Sequence, residues 1–249
     1  MVDRCMTDQN RPATNPERET SIFIGFYAAI LTSVVTLITF ALALTAIPIS
    51  GTNCPGDCIS YPYLDTVAQF PRDYRWMLPA IVLLLIYVVL VVSIHGYAPQ
   101  HKRVYGHIGL AFSVMSAIIL VCTYYIQAAV VPVSLMHGET EGITLLTQYN
   151  PHGLFIALEE LGYLLMSLSF LFVALVFGNQ SRLEAAVKWI FIIGFGLSMA
   201  ALIVISFGYG LDRQDRFEVA IISIDWLVLL FNGVLLSLVF RRASQAKAG

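Results

Sequence analysis

Six apolar stretches, each long enough to cross a bilayer, fill most of this chain: Ile22 to Ile49, Met77 to Ile94, Ile108 to Val133, Leu154 to Phe177, Ala185 to Gly208 and Val219 to Phe240. A span needs ~20 mostly apolar residues, so the pattern predicts an all-α integral membrane protein, a six-transmembrane-helix bundle. Hydrophobic residues make up 58% of the chain and charged residues 12%, about half the charged fraction of a soluble domain. Nothing is left over for a separate soluble unit. Residues 1–20 read as a short tail, 21–242 as one membrane domain with a loop at about 50–76, and 243–249 as a second tail. A net charge of −2 argues against nucleic acid as a partner, and membrane lipids are the expected surroundings.

Charge asymmetry sets the orientation. Arg4, Arg11, Arg18, Lys102, Arg103, Arg182, Lys188, Arg241, Arg242 and Lys247 fall on one side, against Arg72, Arg75, Arg213 and Arg216 on the other. The positive-inside rule then makes both termini cytoplasmic and points to a plasma or cytoplasmic membrane. The first apolar run is longer than a cleavable signal core and follows a mixed-charge leader, so it is expected to remain as a span. Asn179-Gln180-Ser181 has the glycosylation acceptor pattern, which this topology places on the cytoplasmic side. Apart from the first external loop and the external region from Ser134 to Asn150, the connections are expected to be short, roughly 8 to 12 residues, making consecutive spans antiparallel neighbours.

The first external loop carries Cys54-Pro-Gly-Asp-Cys58. Two cysteines around a Pro-Gly turn on an oxidising side favour a local disulfide over a redox dithiol, which normally has two intervening residues; Cys5 and Cys122 read as unpaired. Tyr61, Tyr63, Phe70, Tyr74 and Trp76 alternate with prolines and charges in the same loop. The mixture suits an interfacial aromatic belt, with a lid over an outward cavity as the alternative. His137, Glu139 and Glu141 give the next external connection an acidic, solvated rim.

Carboxylates inside spans are the candidate functional groups. Asn150-Pro151-His152-Gly153 reads as a helix start, with Asn150 as cap. Glu159 and Glu160 then lie on the order of 10 Å below His152. An ionised acid at mid-span costs roughly 2.5–3.5 kcal/mol, so these acids must face protein or water, pair with donors, or carry a proton. Adjacent helical residues diverge by about 100°. His152, Glu159 and Tyr163 therefore share one stripe, and Gly153, Glu160 and Ser167 the next. In the last span Asp225 and Asn232 are seven apart and share a face, and Tyr124 and Gln127 in the third span are suitable partners for buried carboxyls. His152, Glu159, Glu160, Tyr163, Tyr124, Gln127, Asp225 and Asn232 are thus expected in one polar cavity in the outer half of the membrane. A purely structural hydrogen-bond cluster would give the same residues, although such clusters usually use neutral amides and hydroxyls rather than acids.

No cofactor or metal site is expected. His95, His101 and His107 flank a basic connection and read as interfacial rather than as haem or metal ligands, and no zinc spacing, phosphate-cradling loop or nucleophile elbow is present. The last span has no lysine for a retinal Schiff base. Glu184 and Lys188 stand in helix-pair order. Gly194 with Ser198, and Gly196 with Ala200, mark a close-packing face in the fifth span, one surface on which a homo-oligomer would form.

Three functions fit these acids. The first is a proton-coupled transporter of a small solute. The second is an intramembrane enzyme acting on a lipid or isoprenoid by acid/base chemistry. The third is an accessory or sensor protein whose acids only hold helices together. Against the first, the two halves of the chain show no internal repeat. The carboxylates alone do not choose between the first two.

Overall fold

The structure, a computed structural model, describes residues 16–46, 48–179 and 181–246. Cys5, the first two arginines of the charge count, Lys247 and the central residue of the Asn179 acceptor pattern lie outside the described residues. Those described form helices α1 (Pro16–Ala43), α2 (Met77–Tyr97), α3 (Arg103–Ala129), α4 (Val131–Met136), α5 (Ile143–Leu146), α6 (Leu154–Val176), α7 (Arg182–Tyr209) and α8 (Gln214–Gln245), and no strands. All but the short α4 and α5 are long and apolar enough to cross a membrane. A helix suits hydrocarbon because it satisfies its own backbone hydrogen bonds.

The spans close into a ring. Each packs on the next, α1 on α2, α2 on α3, α3 on α6, α6 on α7 and α7 on α8, and α8 returns to α1. Further contacts of α6 with α2 and α8 make it the most enclosed span, whereas α7 is the least. The described chain begins and ends at one end of the bundle, the terminal end. There Lys102 Nζ donates to the Val176 and Phe177 carbonyls at 3.2 and 3.0 Å, satisfying groups that the end of α6 leaves open. Ser181 Oγ accepts the Glu184 amide at 3.2 Å to start α7. The Glu184 carboxylate accepts the Tyr97 hydroxyl at 2.6 Å.

Three boundaries differ from expectation. The first apolar run is not one helix to Ile49: α1 ends at Ala43 and residues 44–46 turn away, ahead of Pro48, which has no amide to continue the ladder and disfavours helix before it. The freed apolar segment folds over the opposite, loop end. Pro132 likewise divides α3 from α4. The chain enters α6 through Gly153, which offers no side-chain cap; Asn150 instead closes the preceding turn, its Oδ1 accepting the His152 amide at 3.0 Å and its Nδ2 donating to the Thr144 carbonyl at 2.8 Å. The connections at 98–102, 177–181 and 210–213 are shorter than the 8 to 12 residues anticipated, because the helices run on into them.

Small residues set the helix separations. Gly194 and Ser198 face α8, where a Cβ on Gly194 would overlap Val228 and Ser198 reaches Asp225. Gly196 looks into open space and Ala200 is exposed, so only the first pair packs within the chain. The seam between α1 and α8 is as close: Ser33 Oγ donates to the Leu230 carbonyl at 2.9 Å, and a Cβ on Gly233 would collide with the Ser33 side chain and the Ala29 carbonyl. Overpacking a tight contact costs about 1–3 kcal/mol. Gly233→Val is therefore expected to lower the thermal-unfolding midpoint of the detergent-solubilised protein, while Gly196→Val leaves it unchanged.

Candidate functional site

A cavity of about 440 Å³ lies at the loop end between α1, α6 and α8. Its walls are aromatic: Phe40 of α1, Trp76 ahead of α2, Tyr149, Phe155 of α6 and Trp226 of α8. Trp226 meets Phe40 and Trp76 edge-to-face, with ring centroids 5.7 and 6.1 Å away. The roof is the segment released by the early end of α1, including Pro48, Ile49 and Gly51.

That roof is fastened at two places. Ile49 accepts the Ile59 amide at 2.8 Å across a loop closed by the Cys54–Cys58 disulfide. Asp215 Oδ2, at the start of α8, accepts both the amide and the hydroxyl of Thr52, at 2.7 and 2.6 Å. Gly51 has φ +69°, and a Cβ there would press on Asp215, so the fastening requires glycine. The aromatic loop divides between belt and lid: Tyr61 and Phe70 are exposed, whereas Tyr74 is buried and Trp76 forms cavity wall.

Three carboxyls line the cavity: Asp73, Asp215 and Glu218. Asp73 is held by Arg72, with Nε to Oδ1 at 2.6 Å, and by the Tyr149 hydroxyl at 3.0 Å. Burial, reinforced by Tyr74 and Asp73, pushes that hydroxyl up from the ordinary phenol value, so Tyr149 remains a donor at physiological pH. Glu218 is half-buried on the wall and lies beside Glu159. Glu159 is fully buried, and no N–H or O–H is in place on either of its oxygens at close range. A carboxylate has no hydrogen to donate. Two neighbouring carboxyls can hydrogen-bond to each other only with a proton between them.

The remaining expected residues do not share one cavity, and none of the eight lines this one. They separate into clusters, because residues on one helix face can meet different neighbours. In the first, Trp226 Nε1 donates to the Tyr163 hydroxyl at 2.9 Å, Tyr163 contacts the Tyr124 hydroxyl at 2.9 Å, and Tyr124 is turned toward Glu159. Trp226 can only donate, so the Tyr163 hydroxyl accepts from it, and either hydroxyl can donate across the Tyr163–Tyr124 contact. In the second, Glu160 points the other way and pairs with Arg213, Nη1 to Oε2 at 3.0 Å.

The third cluster lies deeper. Asp225 Oδ1 accepts Ser167 Oγ at 2.8 Å and Ser198 Oγ at 3.3 Å, and its Oδ2 is unpartnered. Asn232, further along the same face of α8, is buried with neither amide atom partnered. Gln127 is a loop anchor: it contacts the Tyr74 hydroxyl at 3.5 Å and accepts the Gln148 amide at 3.1 Å. His152 is exposed at the rim. Glu139 and Glu141 are exposed as expected of a solvated rim.

Compared with known proteins, the chain matches no family model, no curated protein and no solved structure. Its chemistry therefore rests on its own geometry. Sequence reasoning passed over Glu218, Asp215 and Asp73 as cavity groups. Glu218 did carry a signal: with Asp225 and Asn232 it completes a seven-residue repeat along one face of α8. At the terminal end the His95 and His107 rings meet at a tilt, with centroids 4.0 Å apart, and no group of three or more metal-ligating side chains occurs among the described residues.

Glu160 and Arg213 give a direct test of the second cluster. Removing one partner of a buried ion pair strands the other; with Arg213 partly exposed, Arg213→Ala is expected to cost about 2–4 kcal/mol. Adding Glu160→Gln to Arg213→Ala should restore most of that loss in chemical-denaturation measurements.

Proposed function

We propose that this protein is a proton-coupled carrier of a small solute, with the loop end facing outward and the cavity as its binding site. The observation that carries the reading is the contact between Glu218, on the cavity wall, and the enclosed Glu159. One acid meets the solute and the other is sealed inside the bundle, and the pair holds together only with a proton between them. A solute that engages Glu218 competes for that contact, so occupancy and proton content are linked. The Tyr124 and Tyr163 hydroxyls lie further inside the bundle, and Asp225 and Asn232 add buried polar groups along the α8 face. Acids at such depth are the usual carriers of protons through spans.

A second reading has its own support. Leu44 and Val219 line the cavity and are 74% and 50% exposed, giving it a side facing the surrounding apolar medium. A lipid or isoprenoid entering there would meet Glu218 as a general acid, and the protein would be an intramembrane isomerase or proton-transfer enzyme.

The test is the purified full chain reconstituted in liposomes that contain a pH-sensitive dye and hold an imposed pH gradient, challenged with cationic, neutral and anionic aromatic solutes. At least one solute should dissipate the gradient, and Glu218→Gln and Glu159→Gln should each reduce that rate at least tenfold. Glu160→Gln should retain it. If no solute moves protons through a wild-type protein of normal thermal stability, the carrier reading falls. Mass-spectrometric conversion of a bound lipid in the same sample would establish the enzyme instead.

A further inference from the structure

The charge around the cavity is one-sided. Carboxyls of Asp73, Asp215 and Glu218 line it, and no Lys, Arg or His does so among the described residues. Asp73 is neutralised by Arg72. Asp215 is not: its two close partners are the uncharged amide and hydroxyl of Thr52. The nearby arginines of the turn into α8 are engaged elsewhere, Arg213 on Glu160 and over the Phe217 ring, and Arg216 over the Tyr209 ring at 4.0 Å. Glu159, fully buried and without a donor on either oxygen, lies beside Glu218 behind the wall. Trp76, Trp226, Phe40 and Phe155 line the same cavity.

We infer that the solute is an organic cation with an aromatic or aliphatic body, its charged end lying against Glu218 and Asp215. An aromatic wall attracts a cation through its ring quadrupole and accepts an apolar body at the same time. The charged groups that line the cavity repel an anion. A volume of about 440 Å³ is within the range of small-molecule sites and suits a one- or two-ring amine. The inference rests on the carrier reading and names its substrate class. Charge balances in the exchange: one monovalent cation enters as the proton shared by Glu159 and Glu218 leaves to the outer solution.

The experiment uses three permanently charged or neutral probes of one shape class: benzyltrimethylammonium, benzyl alcohol and benzylsulfonate. Each is titrated against the full chain in nanodiscs, carrying Trp189→Phe to remove the exposed indole outside the cavity, with tryptophan fluorescence as the readout. Benzyltrimethylammonium should saturate with an affinity at least tenfold tighter than benzyl alcohol, and benzylsulfonate should give no saturable signal. Glu218→Gln with Asp215→Asn should weaken the cation at least tenfold and leave the alcohol unchanged, which also shows that the variant is folded. Asp215→Asn alone, which keeps an acceptor for Thr52, should give an intermediate loss. Equal or tighter binding of the alcohol or the sulfonate overturns the cation assignment and leaves the cavity as a solute site. Absence of any saturable response in a protein of wild-type thermal stability overturns both the assignment and the carrier reading.

Discussion

An acid enclosed in an apolar bundle must find a donor, a counter-ion or a second acid, and the loop end of this protein is organised by how each acid does so. Glu160 takes Arg213. Asp73 takes Arg72 and the Tyr149 hydroxyl, which ties the segment ahead of α2 to the segment ahead of α6. Asp215 takes two donors from Thr52 and so draws the disulfide loop onto α8. The cavity roof is in place because these carboxyls need partners more than the loop needs freedom; a charge-assisted hydrogen bond is roughly twice as strong as a neutral one. Glu159 is the exception, met by another carboxyl rather than by a base.

The spans were legible because hydropathy over ~20 residues is a property of one segment at a time. Their arrangement was not, since any order of six apolar helices hides the same residues from water. The break at Ala43 was written in Pro48, but the apolar residues on either side of that proline masked it. Spacing did place Glu159 and Glu160 on different faces, and they do take different partners. It also paired Asp225 with Asn232, without showing that α8 turns the first toward Ser167 and Ser198 and leaves the second without a partner.

Glu218 and Asp215 were harder to see for a physical reason. Both stand at the beginning of a span, where an acid near a helix N-terminus is unremarkable because it faces water and the positive end of the helix dipole. Only the chain folding back over them encloses them in a cavity, and that return depends on a glycine at positive φ and on a disulfide loop far away in sequence. The individual acids were visible from the sequence; which of them looks into a shared space was decided by tertiary contacts.

Trp226 belongs to two systems at once. Its ring is part of the cavity wall, and its indole N–H is the fixed donor at the head of the Tyr163 and Tyr124 hydroxyl series. Anything that tilts the ring also re-aims the N–H, so wall and wire share one hinge. In the proposed carrier such a side chain would report the filling of the chamber to the buried acids without moving a helix, in the manner of a float attached to a valve. On the proposed carrier reading the relation would be reciprocal: whatever the occupant does to the proton, the proton must do to the occupant.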